Sequence, residues 1–488
     1  MIRVVLPKDM QAWDRARIEG GTPAVTLMLR AAEGLKAAAL RMREGRSVTC
    51  ICGSGNNGGD GIALAWLLQR DGVSVKIVLA GSYDRLTEAS AHYLALAESA
   101  GVPIVSDWKP QADELLVDAL FGVGLDRPVA GAYANLIEAM NASNSPILAA
   151  DIPSGLDAES GAVLGTAVRA DETVTMQFIK TGLLLGQGRA YAGRVTVCPL
   201  EDEGPFAFSE EVFWQEPDDI EALLPPRPFD SHKGKNGHVL LCVGSERYIG
   251  AALLSARAAL RAGCGILSVC TPDAVRPAFS ALPEAITIPA GTDDWNEAAC
   301  ERAIAAIENK SAVGIGCGVG SGNLAPLLKA ALKSKKPLVL DADGLNCLSK
   351  HRELFSLLHP NVVLTPHPGE MARLLDCPIE RVLSDPLGAV GAFDCTVLLK
   401  GATTLVRGGT RTVLCTEGTT GLAKGGSGDV LTGMITGLLA QGLAPFDAAR
   451  AGTALLGMSA AKAHRLLGER MLLASDVIDA MGEVWKRR

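Results

Sequence analysis

The chain has 488 residues, 48% hydrophobic, 20% charged and 4% aromatic, with 54 glycines and a formal net charge of −8. That length exceeds one ordinary core and predicts two domains, while an Ala/Val/Leu/Gly-rich composition excludes a disordered or disulfide-stapled chain and fits an α/β enzyme. The acidic balance, with no Lys/Arg cluster, excludes a nucleic-acid partner.

In chain order, residues 8–44 carry helical periodicity, first around Met10, Trp13 and Ile18, then through Val25, Leu27, Leu29, Ala32 and Leu35, which predicts two opening helices. A strand, Ser47–Cys52, feeds the glycine loop Gly53-Ser54-Gly55-Asn56-Asn57-Gly58-Gly59-Asp60-Gly61 and a helix over Ile62–Gln69. Gly53, Gly55 and Gly58 satisfy the dinucleotide fingerprint, yet the next strand, Val75–Leu79, ends in Ala80-Gly81 and not in an acid, which argues against a standard hydride-transfer NAD site. Asn56, Asn57 and Asp60 add polar groups, so the loop is expected to hold a polar ligand or an ion as well as a phosphate. Strands Leu115–Asp118 and Ile147–Asp151 both end in an acid beside a glycine turn, and strand Glu172–Phe178 delivers Lys180 near the same edge. Ligands sit at the carboxyl ends of strands in open α/β sheets.

Asn56-Asn57-Gly58-Gly59-Asp60-Gly61, Val117-Asp118-Ala119-Leu120-Phe121-Gly122 and Asp151-Ile152-Pro153-Ser154-Gly155 resemble the motifs of the NAD(P)H-hydrate epimerases, the YjeF N-terminal domain. The resemblance implies a potassium ion held by Asn57, Asp118 and Ser154, an oxygen set suited to a hard cation. It also implies contacts of the hydrated nicotinamide nucleotide with Asn56, Asn57, Gly58, Gly59 and Asp60, with Gly122, Val123, Gly124, Leu125, Asp126, Arg127 and Pro128, and with Asp151. Asp151 is then the acid/base group and Lys180 its partner. Where relatives read Leu-Met-Glu before an Ala-Gly pair, this chain has Leu27-Met28-Leu29-Arg30-Ala31-Ala32-Glu33-Gly34.

An acidic stretch from Glu201 to Asp219, followed by Pro225-Pro226-Arg227-Pro228, marks the joint of two domains expected over 1–215 and 216–488. Alternation of its acids with Phe206, Phe208, Val212, Phe213 and Trp214 predicts packing on a domain and not a free tether. Beyond it, strands near Val239–Val243, Ile266–Cys270, Ala285–Ile288, Ala312–Ile315, Pro337–Leu340 and Val362–Leu364 alternate with helix-length segments such as Gly250–Gly263, the signature of parallel crossovers. Thr365-Pro366-His367-Pro368-Gly369-Glu370 stiffens His367 after a strand end. Strand Thr396–Lys400 runs into the polar turn Gly401-Ala402-Thr403-Thr404. Lys424-Gly425-Gly426-Ser427-Gly428-Asp429-Val430-Leu431 frees backbone N–H groups at the start of a helix through Ile435, Leu438 and Leu439, an anion site with a carboxylate base at its lip. No Walker A motif occurs.

These segments, with His232-Lys233-Gly234, Gly237 and Asp341-Ala342-Asp343-Gly344-Leu345-Asn346, resemble the ribokinase-like fold and its NAD(P)H-hydrate dehydratase branch. The resemblance implies hydrate contacts at Ala251, Gly318, His367 and Asp429, and adenine-nucleotide contacts at Lys400, Gly401, Ala402, Thr403, Thr404 and Gly428. The expected fold is therefore α/β in two domains, an N-terminal Rossmann-like α/β/α domain and a C-terminal ribokinase-like one. The order matches the bifunctional nicotinamide nucleotide repair family, with NADHX, NADPHX and ADP as small-molecule substrates and K+ in the first domain. Mg2+ would accompany ADP in the second, where Asp429 is the expected catalytic base. A ribokinase-like small-molecule kinase fused to a nucleotide-binding domain is the alternative.

The twelve cysteines contain no C-x-x-C pair and read as buried small hydrophobes in a reducing cytosol. Neither a signal-peptide core nor a run of about 18 apolar residues occurs, so no membrane partner and a cytoplasmic location are expected; homo-oligomeric assembly is a separate expectation.

Overall fold

The computed structural model describes residues 1–484 apart from 112, 225, 226, 293 and 321. The chain divides into two compact units, Ile2–Glu211 and a second from Val212 onward that also takes in Met1. That division falls before the joint expected after residue 215, and Pro225-Pro226 of the expected joint lies outside the described residues.

In the first unit, β1 (Ile2–Val5) leads into α1 (Pro7–Glu19) and α2 (Ala24–Met42), then β2 (Ser47–Cys52), α3 (Asn56–Arg70), β3 (Val75–Leu79), α4 (Glu88–Ser99), β4 (Ile104–Val105) and β5 (Glu114–Ala119). α5 (Ala132–Ala142), β6 (Ile147–Ala150), β7 (Glu172–Met176), β8 (Ile179–Lys180) and β9 (Arg194–Cys198) follow. Seven strands form a sheet in the order β4-β3-β2-β5-β6-β7-β9 with parallel pairing throughout. Alternation along each strand makes the layers: Val48, Cys50, Cys52, Leu115, Val117 and Ala119 face the core under α2, α3 and α4, whereas Ile51 and Leu116 face the core under Ile137 and Met140 of α5. A parallel pair outside the seven-stranded sheet, β1 with β8, sets Val5 beside Lys180 and so docks α1.

One expectation needs correction. The segment Asn56–Gly61 is not a loop but the first turns of α3. Its glycines serve close approach: a Cβ on Gly58 would lie 1.9 Å from the Gly53 carbonyl oxygen, on Gly59 2.4 Å from Met28 Cε, and on Gly61 2.6 Å from Ala119 Cβ. The helix can therefore sit down on β2 and β5, and its N-terminus opens directly at their carboxyl ends. The acidic stretch after residue 200 is no tether. Glu201 accepts hydrogen bonds from Arg30 (2.7 Å) and Thr22 (2.9 Å), and Phe208 stacks edge-on against Phe178 at 5.3 Å.

The second unit builds β10 (His238–Cys242), α6 (Ile249–Arg261), β11 (Ile266–Thr271), β12 (Ala285–Pro289), β13 (Ala312–Ile315), β14 (Leu338–Leu340) and α7 (Asp343–Lys350). β15 (Val362–Leu364), α8 (Pro368–Leu375), β16 (Thr396–Leu399), β17 (Thr404–Gly408), β18 (Arg411–Cys415), α9 (Ser427–Ala440) and α10 (Pro445–Leu467) complete the elements that frame its site. The strand order β12-β11-β10-β13-β14-β15-β16-β17-β18 is parallel as far as β16 and antiparallel in its last two pairs. Every residue of α9 from Val430 to Ala440 is buried, as a helix apolar on all sides must be. Glycine lets it press on α6, since a Cβ on Gly433 would stand 2.1 Å from the Ser255 carbonyl oxygen. Among the described residues no helix is long and apolar enough to cross a membrane.

Candidate active sites

In each unit the strand order reverses beside the first strand, between β2 and β5 in one and between β10 and β13 in the other. At such a switch point the loops part and leave a crevice at the strand carboxyl ends.

The first crevice is a cavity of about 840 Å³ lined by Asn56, Asn57 and Asp60 of α3, by Gly122, Val123, Gly124, Leu125, Asp126, Arg127 and Pro128 after β5, and by Asp151 after β6. Gly58 and Gly59 are not on its wall and act in packing. Asp151 sits at φ +64°, a left-handed position uncommon for a residue with a side chain. Its Oδ1 accepts from Lys180 Nζ at 2.5 Å and from the Met176 N–H at 3.0 Å. Lys180, with 0% exposure, is not part of the wall: it lies beneath Asp151 and also donates to Thr175 Oγ1 (3.1 Å) and the Met176 carbonyl (2.8 Å). All three ammonium donors are thus used within the fold. Two further carboxyls line the cavity. Burial pushes Asp60 well above the carboxylate range, with Asp151 and Asp14 adding repulsion. Burial likewise pushes Asp14 up to about 6, with Lys180 opposing and Asp151 assisting.

Behind Asn57 is a second polar cluster. Asp118 is fully buried, accepts from Ser154 Oγ at 2.6 Å and Ser154 N–H at 2.7 Å, and is pushed by burial to about 6 against those hydrogen bonds. The Phe121 carbonyl accepts from Asn57 Nδ2 at 2.9 Å and from Ser154 Oγ at 3.3 Å. Asn57 Oδ1, buried on the same side chain, has no partner. An orphaned carbonyl oxygen beside a carboxylate, a hydroxyl and a backbone carbonyl is a donor set that fits a hard monovalent cation. The altered segment Leu29–Gly34 contributes nothing polar to the cavity: Glu33 is exposed, and α2 lines the wall through Ala24, Leu27, Met28 and Ala31.

The second crevice is organised by Lys400 at the end of β16. Its Nζ lies 2.8 Å from Asp341 Oδ1 after β14 and 3.7 Å from Glu370 Oε2 on α8. Burial presses the Lys400 ammonium down, but the two carboxylates outweigh it and the net displacement is upward. Asp341 is also held by Thr432 Oγ1 at 2.9 Å. The glycines before α9 do what their spacing predicts: Gly426 takes φ +98° and ends the loop, and Asp429 becomes the third residue of the helix. A Cβ on Gly428 would stand 3.5 Å from both Asp341 Oδ2 and Lys400 Nζ, so the helix N-terminus opens onto this ion pair. Burial pushes Asp429 up to about 6, with repulsion from Asp341 next.

His367 caps α8: its Nδ1 accepts from the Gly369 N–H at 3.0 Å while Glu370 Oε2 accepts from the His367 N–H at 2.8 Å, a reciprocal capping box. The imidazole keeps half its side-chain surface exposed. Gly318, at φ +65°, sits against Ala251, for a Cβ there would lie 2.7 Å from the Ala251 and Tyr248 Cβ atoms. Gly401, Ala402 and Thr403 form the turn joining β16 to β17, with Thr404 at its far side. Ala251, Gly318, His367, Lys400 and Asp429 stand on five separate segments: Gly318 follows Cys317, whose Sγ lies 3.8 Å from Asp341 Oδ2, His367 caps the helix that carries Glu370, and Asp341 and Glu370 both face Lys400. Asp341, Glu370 and Asp14, which complete the two charge networks, were absent from the expected sites. The Asp341 signal was an acid straight after an apolar strand, and the Asp14 signal was an acid between Met10 and Ile18 at four-residue spacing. A further cavity of about 480 Å³ opens beside Asp343, but Asp341, Lys400 and Asp429 do not line it.

Both parts of the chain resemble known proteins. Residues 24–182 match the family described as YjeF-related protein N-terminus, and residues 239–481 match the one described as NAD(P)H-hydrate dehydratase. Over 487 residues the chain is 36% identical to the bifunctional NAD(P)H-hydrate repair enzyme Nnr of Coxiella burnetii, covering 96% of each protein. It is 34% identical over 476 residues to that of Escherichia coli, covering 95% of this chain and 90% of that one. A ribokinase-like superfamily protein of Enterococcus faecalis superposes with a TM-score of 0.50 at 26% identity, over 58% of this chain and all of that one. An ADP/ATP-dependent NAD(P)H-hydrate dehydratase of Bacillus subtilis, co-crystallised with ATP/Mg2+, gives 0.48 at 29% identity over 58% of this chain and 99% of its own. With more than a third of its residues shared along nearly its full length, the chain belongs to the bifunctional NAD(P)H-hydrate repair enzymes.

Proposed function

We propose that the chain repairs hydrated nicotinamide nucleotides at two sites, interconverting the R and S epimers of NADHX and NADPHX in the first unit and dehydrating the S epimer in the second. The observation that carries the reading is Asp429, a partly buried carboxyl in the first turn of a glycine-opened helix beside Lys400 and Asp341. Such a group accepts the proton of a substrate hydroxyl while the helix N-terminus holds the attacked phosphate. ADP then gives AMP, and the phosphorylated hydroxyl leaves as phosphate, a far better leaving group than hydroxide. Lys400 through Thr404 and Gly428 would contact the nucleotide, and Ala251, Gly318 and His367 the hydrate. Among the described residues no cluster of three or more His, Cys, Asp or Glu is placed to hold an ion. Mg2+ would arrive with ADP, since magnesium takes most of its ligands from phosphate and water.

In the first unit the hydrated ring would sit against Asp151, and the nucleotide against Asn56, Asp60 and the segment Gly122–Pro128. Asn57 Oδ1, Asp118 and Ser154 would hold K+, whose charge offsets the Asp118 carboxylate and fixes the Phe121 turn. Lys180, with all its donors engaged, would position Asp151 and not meet substrate. Homo-oligomeric assembly and a cytoplasmic location belong to the same reading, and light scattering checks the first. The deciding assay incubates hydrated NADH with ADP and Mg2+ and follows absorbance at 340 nm. Growth of that band with AMP formation supports dehydration, whereas a stable phosphorylated product and no NADH would support the small-molecule kinase alternative. Supplying the R epimer alone tests the first unit, since dehydration then requires epimerisation faster than the spontaneous rate.

A further inference from the structure

Met10, Asp14 and Ile18 stand one helical turn apart on α1, and all three line the first cavity. An apolar residue would continue the row; this chain places a carboxylate in it. Among the described residues Asp14 has no hydrogen-bond or ion-pair partner, unlike Asp151, which Lys180 and the Met176 N–H hold rigidly. Asp14, Asp60, Asp151 and Lys180 lie close enough to perturb one another; Arg85, Asp126, Arg127 and Tyr133 are the other titratable groups on the cavity wall. A partly buried carboxyl without a partner costs stability and is retained where its proton is used.

Resting on the epimerase reading above, we infer that Asp14 is a second catalytic group of the first site, the one that gives a proton to the substrate hydroxyl and takes it back. The hydrate carries its hydroxyl on the ring carbon next to the ring nitrogen. Asp14 in its acid form protonates that oxygen. The carbon–oxygen bond breaks, its electron pair leaves with water, and the nitrogen lone pair closes a carbon–nitrogen double bond. Water then adds to the other ring face, re-forming the carbon–oxygen bond, and its surplus proton returns to Asp14. Nothing is oxidised, and water is neither gained nor lost. The cation formed midway faces the Asp151 carboxylate. A carboxyl near 6 has both forms available at neutral pH.

The test uses the full chain, purified R epimer, and the variants Asp14→Asn, Asp14→Glu and Asp14→Ala. The expected result is a fall in epimerisation kcat of about 100-fold or more for Asp14→Asn with KM within about threefold, partial retention in Asp14→Glu, and recovery of Asp14→Ala by added formate. Wild-type kcat in Asp14→Asn, or loss of rate in Asp14→Ala that formate does not restore, overturns the assignment. A wild-type chain that fails to speed epimerisation removes the underlying reading, whereas an active wild type with an unchanged Asp14→Asn removes only the role of Asp14.

Discussion

Asp429→Asn separates function from stability in opposite directions. Asparagine keeps the shape of the side chain but cannot accept the hydroxyl proton, so dehydration of the S epimer falls by about 100- to 10,000-fold. Stability moves the other way. Asp429 is raised from 3.8 to about 6 by burial and by Asp341, and at about 1.4 kcal/mol for each tenfold change its ionisation costs the folded state up to about 3 kcal/mol. The side chain is only partly buried, and solvent screening reduces this to about 1–2 kcal/mol. The sign follows from the raised value. Below pH about 3.8 the carboxyl is protonated folded or unfolded and its favourable contribution is complete; as pH rises through about 6 that contribution is lost. At pH 8 the neutral asparagine is free of the penalty, and the second unit should melt a few degrees higher than wild type, with the gain vanishing near pH 4. Calorimetry at the two pH values, alongside NADH formation at 340 nm, measures both effects. Wild-type turnover in the variant, or a lower midpoint at pH 8, would refute the reasoning. The wild-type rate should also decline about tenfold per pH unit below 6.

Lys180→Met strands Asp151 without the cation that it meets at 2.5 Å, and the first unit should lose about 3–5 kcal/mol; adding Asp151→Asn should recover part of it, and urea unfolding checks the pair. Asn57→Leu removes the orphaned buried oxygen, so the rise in first-unit melting temperature expected when KCl replaces choline chloride should disappear. Gly318→Ala puts a methyl 2.7 Å from Tyr248 and Ala251 at a positive φ, which should raise the dehydratase KM and leave epimerisation unchanged in parallel steady-state assays.

Much of the fold is written locally. Ser47–Cys52, Val75–Leu79 and Ala312–Ile315 are apolar runs bounded by glycine or polar turns, and each is a strand at the stated limits. The Gly425–Gly428 run marked the start of α9 because only glycine takes the φ that Gly426 adopts. Asp118 and Asp151 were legible as acids ending buried strands. Other features depend on partners distant in the chain. Asn56–Gly61 reads as a loop by composition, yet it is helix, because its glycines answer to Gly53, Met28 and Ala119 and not to a local need for unusual φ. The hairpin from Thr404 to Cys415 was missed although Gly408-Gly409 between two β-rich runs is a local turn signal.

The sites divide the same way. The sequence by itself determined which residue types stand at strand ends and helix starts, since backbone conformation there is governed by near neighbours. Only the tertiary structure decided how their charges combine. Pairing of β1 with β8 brings Asp14 to the wall near Lys180, the sheet order sets Lys180 beneath Asp151, and parallel register places Asp341 beside Lys400. A carboxyl's ionisation depends on burial and on charges a few ångströms away in space, and residues separated by 29 or 59 positions acquire that proximity only when the sheet forms.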